Sequence, residues 1–251
     1  MSIKTATHIS RDTHHTMHES SEHEGTDPTA RHKHEITPLE HMVEPDERLL
    51  IAHDPYDPRC EKVRALRTEL LLRRESSERA DSVAILSPCA GEGRSLLAAE
   101  LAISFAQIGR PTLLVDADLR RPQQHLLFGT ENLLGLSHAL KYGVPPQFHT
   151  VQGLPPMSVL TAGAVPGNPL ELLSSNAFAS MIDDWRDNFE FIVIDTAPVK
   201  QFSDGLVVAS LVGRVLALSR AQHTPYKDMQ DMLRRLAATR SQILGAVISH
   251  F

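Results

Sequence analysis

The stretch Val83-Ala84-Ile85-Leu86-Ser87-Pro88-Cys89-Ala90-Gly91-Glu92-Gly93-Arg94-Ser95-Leu96-Leu97-Ala98-Ala99-Glu100-Leu101-Ala102 decides the fold. It passes from an apolar run, through a segment holding two glycines, into a leucine- and alanine-rich run. Strand, glycine loop and helix in that order make a phosphate-binding loop. Gly91 and Gly93 let the backbone approach an anion, and the amides that open the helix point at it. Ser95 stands where a hydroxyl reaches Mg²⁺. Position 94, a lysine in such loops, is arginine. An ordinary Gly-rich turn has the same spacing, so the rest of the chain must settle the reading.

That rest alternates strand and helix signals. Apolar runs at Val83–Leu86, Thr112–Val115, Ser158–Leu160, Phe191–Ile194, Val215–Leu218 and Ile243–Ile248 are separated by helical patterns near 95–109, 133–141, 176–187, 204–212 and 225–240. Continuously apolar strands are those of a parallel sheet covered on both faces. The expected fold is α/β, a doubly wound, mainly parallel sheet whose ligands bind outside the carboxyl ends of the strands. The loop lies at such an end.

Two further strands end in carboxylates. Leu113-Leu114-Val115 leads into Asp116-Ala117-Asp118-Leu119-Arg120-Arg121-Pro122, and Phe191-Ile192-Val193-Ile194 into Asp195-Thr196-Ala197-Pro198. Asp116, Asp118 and Asp195 supply the oxygens a hard cation prefers. Each taken alone reads sooner as a helix cap or a surface turn, and it is the three motifs in this order that shift the reading. Arg120 is placed to reach phosphate or to pair with Asp118. Asp204 is expected to cap the helix it begins. Trp185, Phe189 and Phe191 read as core packing.

Composition bounds the function. The 251 residues, 41% hydrophobic with a formal charge of -6, suit one sizeable α/β domain and argue against a nucleic-acid-binding surface. No apolar run resembles a membrane span or a signal peptide. Cys60 and Cys89 show no metal or disulfide spacing, which suits a reducing cytoplasm. Residues 1–48 are expected to be a disordered tail and 49–251 a single domain. The tail holds His8, His14, His15, His18, His23, His32, His34 and His41 among few large apolar residues, with no spacing that fixes a metal geometry.

Loop 87–95, the Asp116-Ala117-Asp118-Leu119-Arg120 segment and Asp195-Thr196-Ala197-Pro198 resemble the Walker A, A′ and B motifs of bacterial tyrosine kinases, P-loop NTPases of the deviant-Walker class. Glu61-x-x-Arg64-x-x-Arg67, Gly135-Leu136-Ser137 and the Gly163–Leu173 segment extend the likeness over about residues 54–251. The chain is most similar to the free-standing cytoplasmic partner of chain-length determinant proteins in exopolysaccharide export. The resemblance implies a protein-tyrosine kinase that binds ATP through Ala90, Gly91, Glu92, Gly93, Arg94, Ser95, Leu96 and Arg220. It implies Mg²⁺ on Ser95, Asp116 and Asp195, with Asp118, Arg94 and Asp116 as catalytic residues and Asp118 as the base. It further implies a homo-oligomer through Glu61, Arg64 and Arg67, and recruitment to the inner membrane by a polysaccharide co-polymerase. By spacing alone, Val63, Leu66 and Leu70 form the inward face of that helix and the three charges a solvated one.

The chain departs from the family pattern twice. Arg94 keeps the loop lysine's charge but replaces a compact ammonium with a broad planar fork. The fork holds phosphate oxygens by bidentate contact, so nucleotide binding is expected. Phosphoryl transfer depends on positioning, and a displacement of about 1 Å costs on the order of a hundredfold. The family's terminal tyrosine cluster has no counterpart, since Tyr56, Tyr142 and Tyr226 are scattered. Two alternatives therefore stand beside a kinase: a catalytically idle nucleotide-sensing scaffold and a partitioning or division-site type ATPase. Cys89, at the place of that branch's extra loop lysine, argues against the latter.

Overall fold

The computed structural model describes residues 38–73 and 80–250. The chain opens with β1 (Pro38–Val43), α1 (Leu50–His53) and α2 (Pro58–Leu72). Next come β2 (Asp81–Leu86), α3 (Arg94–Ala106), β3 (Thr112–Asp116), α4 (Gln124–Leu127), α5 (Leu136–Tyr142), β4 (Phe148–Val151) and β5 (Leu154–Leu160). It closes with α6 (Pro169–Leu173), α7 (Asn176–Asn188), β6 (Phe191–Asp195), α8 (Asp204–Val212), β7 (Arg214–Arg220), α9 (Tyr226–Ala237) and β8 (Gln242–Ser249). The strands form one sheet in the order β1-β4-β5-β3-β6-β2-β7-β8. Only the β4–β5 pair is antiparallel.

Both faces are covered, which explains the continuously apolar strands. Along β2, Val83 and Ile85 join a core with α1, α2 and α3, while Ala84 and Leu86 join a second core with α5 to α9. A two-sided sheet has no solvent face, so alternation disappears from the sequence. Phe105 stacks on Phe191 at 4.0 Å in the first core, and Trp185 meets Phe178 edge-on at 6.2 Å in the second, as expected of core aromatics.

Helix α2 buries Cys60, Val63 and Leu70 against α3, with Leu66 half-buried beside them. Each such aliphatic side chain contributes about 1.5–3 kcal/mol when fully buried. Its charges do not form a uniformly solvated face. Glu61 is exposed and pairs with Arg64, which also donates to the Pro55 carbonyl. Arg67 turns inward and donates to the Ser104 carbonyl at 2.8 Å and to its hydroxyl at 3.2 Å, fastening α2 to α3.

Strand β1 corrects the expected boundary. It pairs in parallel with β4, so the sheet starts at Pro38 rather than after residue 48. As an edge strand it exposes Met42 and buries Val43, so it carries no apolar run. His8, His14, His15, His18, His23, His32 and His34 lie outside the described residues; His41 lies within β1. Among the described residues, no helix is long and apolar enough to cross a membrane.

Candidate nucleotide-binding site

The loop leaves the carboxyl end of β2, near the middle of the sheet, and ends where α3 begins at Arg94. Gly91 and Gly93 have φ of 75° and 91°, a left-handed conformation that side-chain-bearing residues rarely adopt. This backbone lets the loop pass directly into the amino terminus of α3, whose free amides favour an anion.

The loop is tied to its surroundings by Glu92, which is fully buried. One carboxylate oxygen accepts the Cys89 amide at 2.8 Å, and the other accepts the Thr224 hydroxyl. The Ser249 hydroxyl donates to the Glu92 carbonyl at 3.2 Å, and Arg220 donates to the Gly91 carbonyl at 3.2 Å. The Glu92 side chain thus holds the loop's shape rather than facing its mouth. Ala90, Gly91, Gly93 and Ser95 retain exposure along the loop, while Leu96 packs partly into the first core.

Arg94 is 7% exposed and points back into the protein. Its Nε donates to the Thr196 carbonyl at 2.7 Å, and its Nη1 to the Ser87 hydroxyl at 2.5 Å and the Cys89 carbonyl at 3.0 Å. Its Nη2 lies 3.7 Å from Asp118 Oδ2. The fork therefore joins the phosphate loop, the end of β6 and the candidate base. Asp118 Oδ1 accepts the amides of Arg120 and Arg121 at 3.3 and 3.0 Å, which fixes its orientation.

Asp116 and Asp195 are register partners at the ends of adjacent parallel strands. Asp116 Oδ1 accepts the Asp118 amide, and its Oδ2 accepts those of Gln123 and Gln124, so this carboxylate also shapes the following turn. Burial raises Asp116 well above the usual carboxylate range, with the charge of Asp195 adding to it. Burial raises Asp195 too, opposed by the charge of Arg94 and by hydrogen bonds from Ser95 and Gln124. Asp195 Oδ1 is buried and has no partner. A divalent cation beside this pair would relieve the repulsion and use the orphaned oxygen. Among the described residues no three His, Cys, Asp or Glu side chains form a metal cage. Mg²⁺ suits such a place, because it keeps waters and phosphate oxygens in its shell.

Two sequence expectations change. The Arg120 side chain pairs with Asp204 rather than with Asp118. Its guanidinium bonds Asp204 at 3.0 Å and stacks 4.1 Å from the Phe202 ring centroid. Asp204 in turn is the first residue of α8 behind the N-cap position of Ser203, and its carboxylate serves Arg120 rather than the helix amides. Sequence reasoning missed Gln124, at the start of α4, and Thr224, in the β7–α9 connection, which only the fold brings to the loop.

No protein-family model matches the chain. The tyrosine-protein kinase YwqD of Bacillus subtilis is 33% identical over 198 residues, covering 78% of this chain and 83% of that protein. The kinase domain of the Escherichia coli tyrosine kinase ETK matches with a TM-score of 0.76 and 30% identity, covering 80% of this chain and 79% of that one. The chimerical protein CapA2B2 matches with a TM-score of 0.75 and 30% identity, over 84% of this chain and 92% of that one. With relatives of this identity matched over most of both chains, the chain belongs to the bacterial tyrosine-kinase family.

Proposed function

We propose that this tyrosine-kinase domain binds Mg·ATP at loop 87–95 and acts in exopolysaccharide polymerisation or export. The observation that carries the reading is the convergence of Ser95, Asp116 and Asp195, with Asp195 Oδ1 buried and unpartnered. Ser95, Asp195 and the remaining acceptor capacity of Asp116 would hold the ion, which supplies charge neutralisation at the phosphates. Ala90, Gly91, Gly93 and the amides opening α3 cradle the phosphates, and Arg220, beside the Gly91 carbonyl, flanks the path of the base. Asp118 is the candidate base for the attacking hydroxyl. The domain works in the cytoplasm and meets the membrane through a chain-length determinant protein. Glu61 supplies the exposed part of a homo-oligomer contact, with half-buried Arg64 paired to it and Arg67 supporting it from within. A radiolabelled-phosphate assay with the partner tests transfer; absence of transfer, or its persistence in Asp118→Asn, overturns the role given to Asp118.

A second reading is favoured by the bonding of Arg94. Its protein contacts at Thr196, Ser87 and Cys89 stand in the way of a phosphate partner, as a nucleotide-sensing scaffold without turnover would require. ATP hydrolysis by the native protein at a rate comparable with Arg94→Lys would exclude it. The partitioning-type alternative rests on the shared fold alone and is set aside.

A further inference from the structure

Gln124 is fully buried at the start of α4, and it touches all three residues assigned above to the metal. Its backbone amide donates to Asp116 Oδ2 at 2.9 Å. Its side-chain Nε2 donates to the Ser95 carbonyl at 3.0 Å and to Asp195 Oδ2 at 3.0 Å. Both side-chain partners are pure acceptors, so the amide nitrogen must face them. The carbonyl Oε1 is then left over, and it is buried without a partner. Asp195 Oδ1 is in the same condition. Two orphaned acceptors on two hydrogen-bonded side chains form an incomplete polar network, and such a network is costly unless something donates to it.

We propose that Gln124 is the positioning residue of the Mg²⁺ site: its carboxamide nitrogen fixes the Asp195 carboxylate by one oxygen and leaves the other for the ion, while its own Oε1 accepts a hydrogen bond from one of the ion's waters. The inference rests on the Mg·ATP reading above and deepens it. Magnesium retains several waters when bound, and each needs an acceptor beyond the ion. A residue that orients a ligand from behind governs metal affinity without touching the metal. Gln124 also joins the three motifs, its side chain bonding Ser95 and Asp195 and its backbone amide bonding Asp116. Its partners also distinguish its two functional groups: the donor bonds two protein acceptors, and the acceptor has no protein donor.

The test is the affinity for ATP by isothermal titration calorimetry, with Mg²⁺ and in EDTA, for the native chain and for Gln124→Met, which keeps the volume and removes both amide groups. The expected result is that the Mg²⁺-dependent gain in ATP affinity falls by about tenfold or more in the variant, the range for loss of a residue behind a metal ligand, while affinity in EDTA stays within about twofold. A purely structural role would lower both affinities together, and that outcome overturns the proposal, as does a retained Mg²⁺ gain. Thermal midpoints establish that the variant is folded, and Gln124→Leu carries the same test where Met disturbs packing. A native chain whose ATP affinity ignores Mg²⁺ overturns the proposal and the Mg·ATP reading together. A native gain that survives in the variants overturns only the proposal.

Discussion

Arg94 Nη2 and Asp118 Oδ2 lie 3.7 Å apart, with 7% and 5% of their side chains exposed, so the arginine that stands for the loop lysine is paired with the candidate base. Both are also anchored by the backbone, Arg94 at the Thr196 and Cys89 carbonyls and Asp118 at two amides. If Arg94 is to serve the phosphates as the loop lysine does in P-loop enzymes, this pair must open first. Replacing Arg94 by lysine removes the fork but keeps the charge. Arg94→Lys is expected to raise ATP turnover by about tenfold to a hundredfold, the range expected when a misplaced group is restored. The loss of donors to Ser87 and Thr196 lowers stability by about 1–3 kcal/mol. Phosphate release and urea denaturation measure the two effects.

Glu92 predicts a different pattern. Its carboxylate satisfies the Cys89 amide and the Thr224 hydroxyl inside the protein. Glu92→Ala leaves both donors unsatisfied and is expected to cost about 1–3 kcal/mol in urea denaturation. Glu92→Gln, which can still accept from Cys89 and donate to Thr224, is expected to lose less than half of that. Equal losses in the two variants would show that the charge, rather than the hydrogen bonds, holds the loop.

Helix α2 separates packing from assembly. Arg67→Ala removes the donors to Ser104 and is expected to destabilise the domain by about 1–2 kcal/mol. Glu61→Ala, on the exposed side, is expected to change stability by less than about 0.5 kcal/mol, yet to reduce oligomer mass in light scattering. An unchanged mass would remove Glu61 from the assembly contact.

Glu100, half-buried on α3, sets a pH dependence. Burial pushes its carboxyl up to about 7 from an ordinary 4.5, with Arg59 opposing and Asp57 reinforcing the shift. The folded state therefore holds this proton more tightly than the unfolded state. The resulting stability is complete below about pH 4.5 and is lost as pH rises through about 7. Glu100→Gln is expected to leave stability at pH 4.5 unchanged and to raise it at pH 8 by on the order of 1 kcal/mol, after allowance for solvent screening. Urea midpoints at the two pH values check the sign.

Sequence legibility followed burial. β2, β3, β5, β6 and β7 carry apolar runs because helices cover them, and they are readable; β8 is readable too, although its Ile243 and Ile248 stay exposed at the edge of the sheet. β1, four-residue β4 and the short helices α1, α4 and α6 have no such run, and their positions come from tertiary pairing. At the site, Ser95 is legible from the glycine loop that precedes it, and Asp116, Asp118 and Asp195 from their place at or just after strand ends. The partners of Arg94, Arg120 and Glu92 were not, because each is chosen by a residue far along the chain: Thr196, Asp204 and Thr224. Gln124 was invisible for the same reason, since Asp195 lies 71 residues beyond it.

The central claim is a Mg²⁺-dependent nucleotide site built on Ser95 and Asp195. Its most direct test is calorimetric titration of the native chain and Asp195→Asn with ATP, in Mg²⁺ and in EDTA. The account predicts that Mg²⁺ strengthens ATP binding by about tenfold or more in the native chain and has little effect in Asp195→Asn. Absence of ATP binding by the native chain at millimolar concentration, or a Mg²⁺ gain that Asp195→Asn keeps in full, would contradict it.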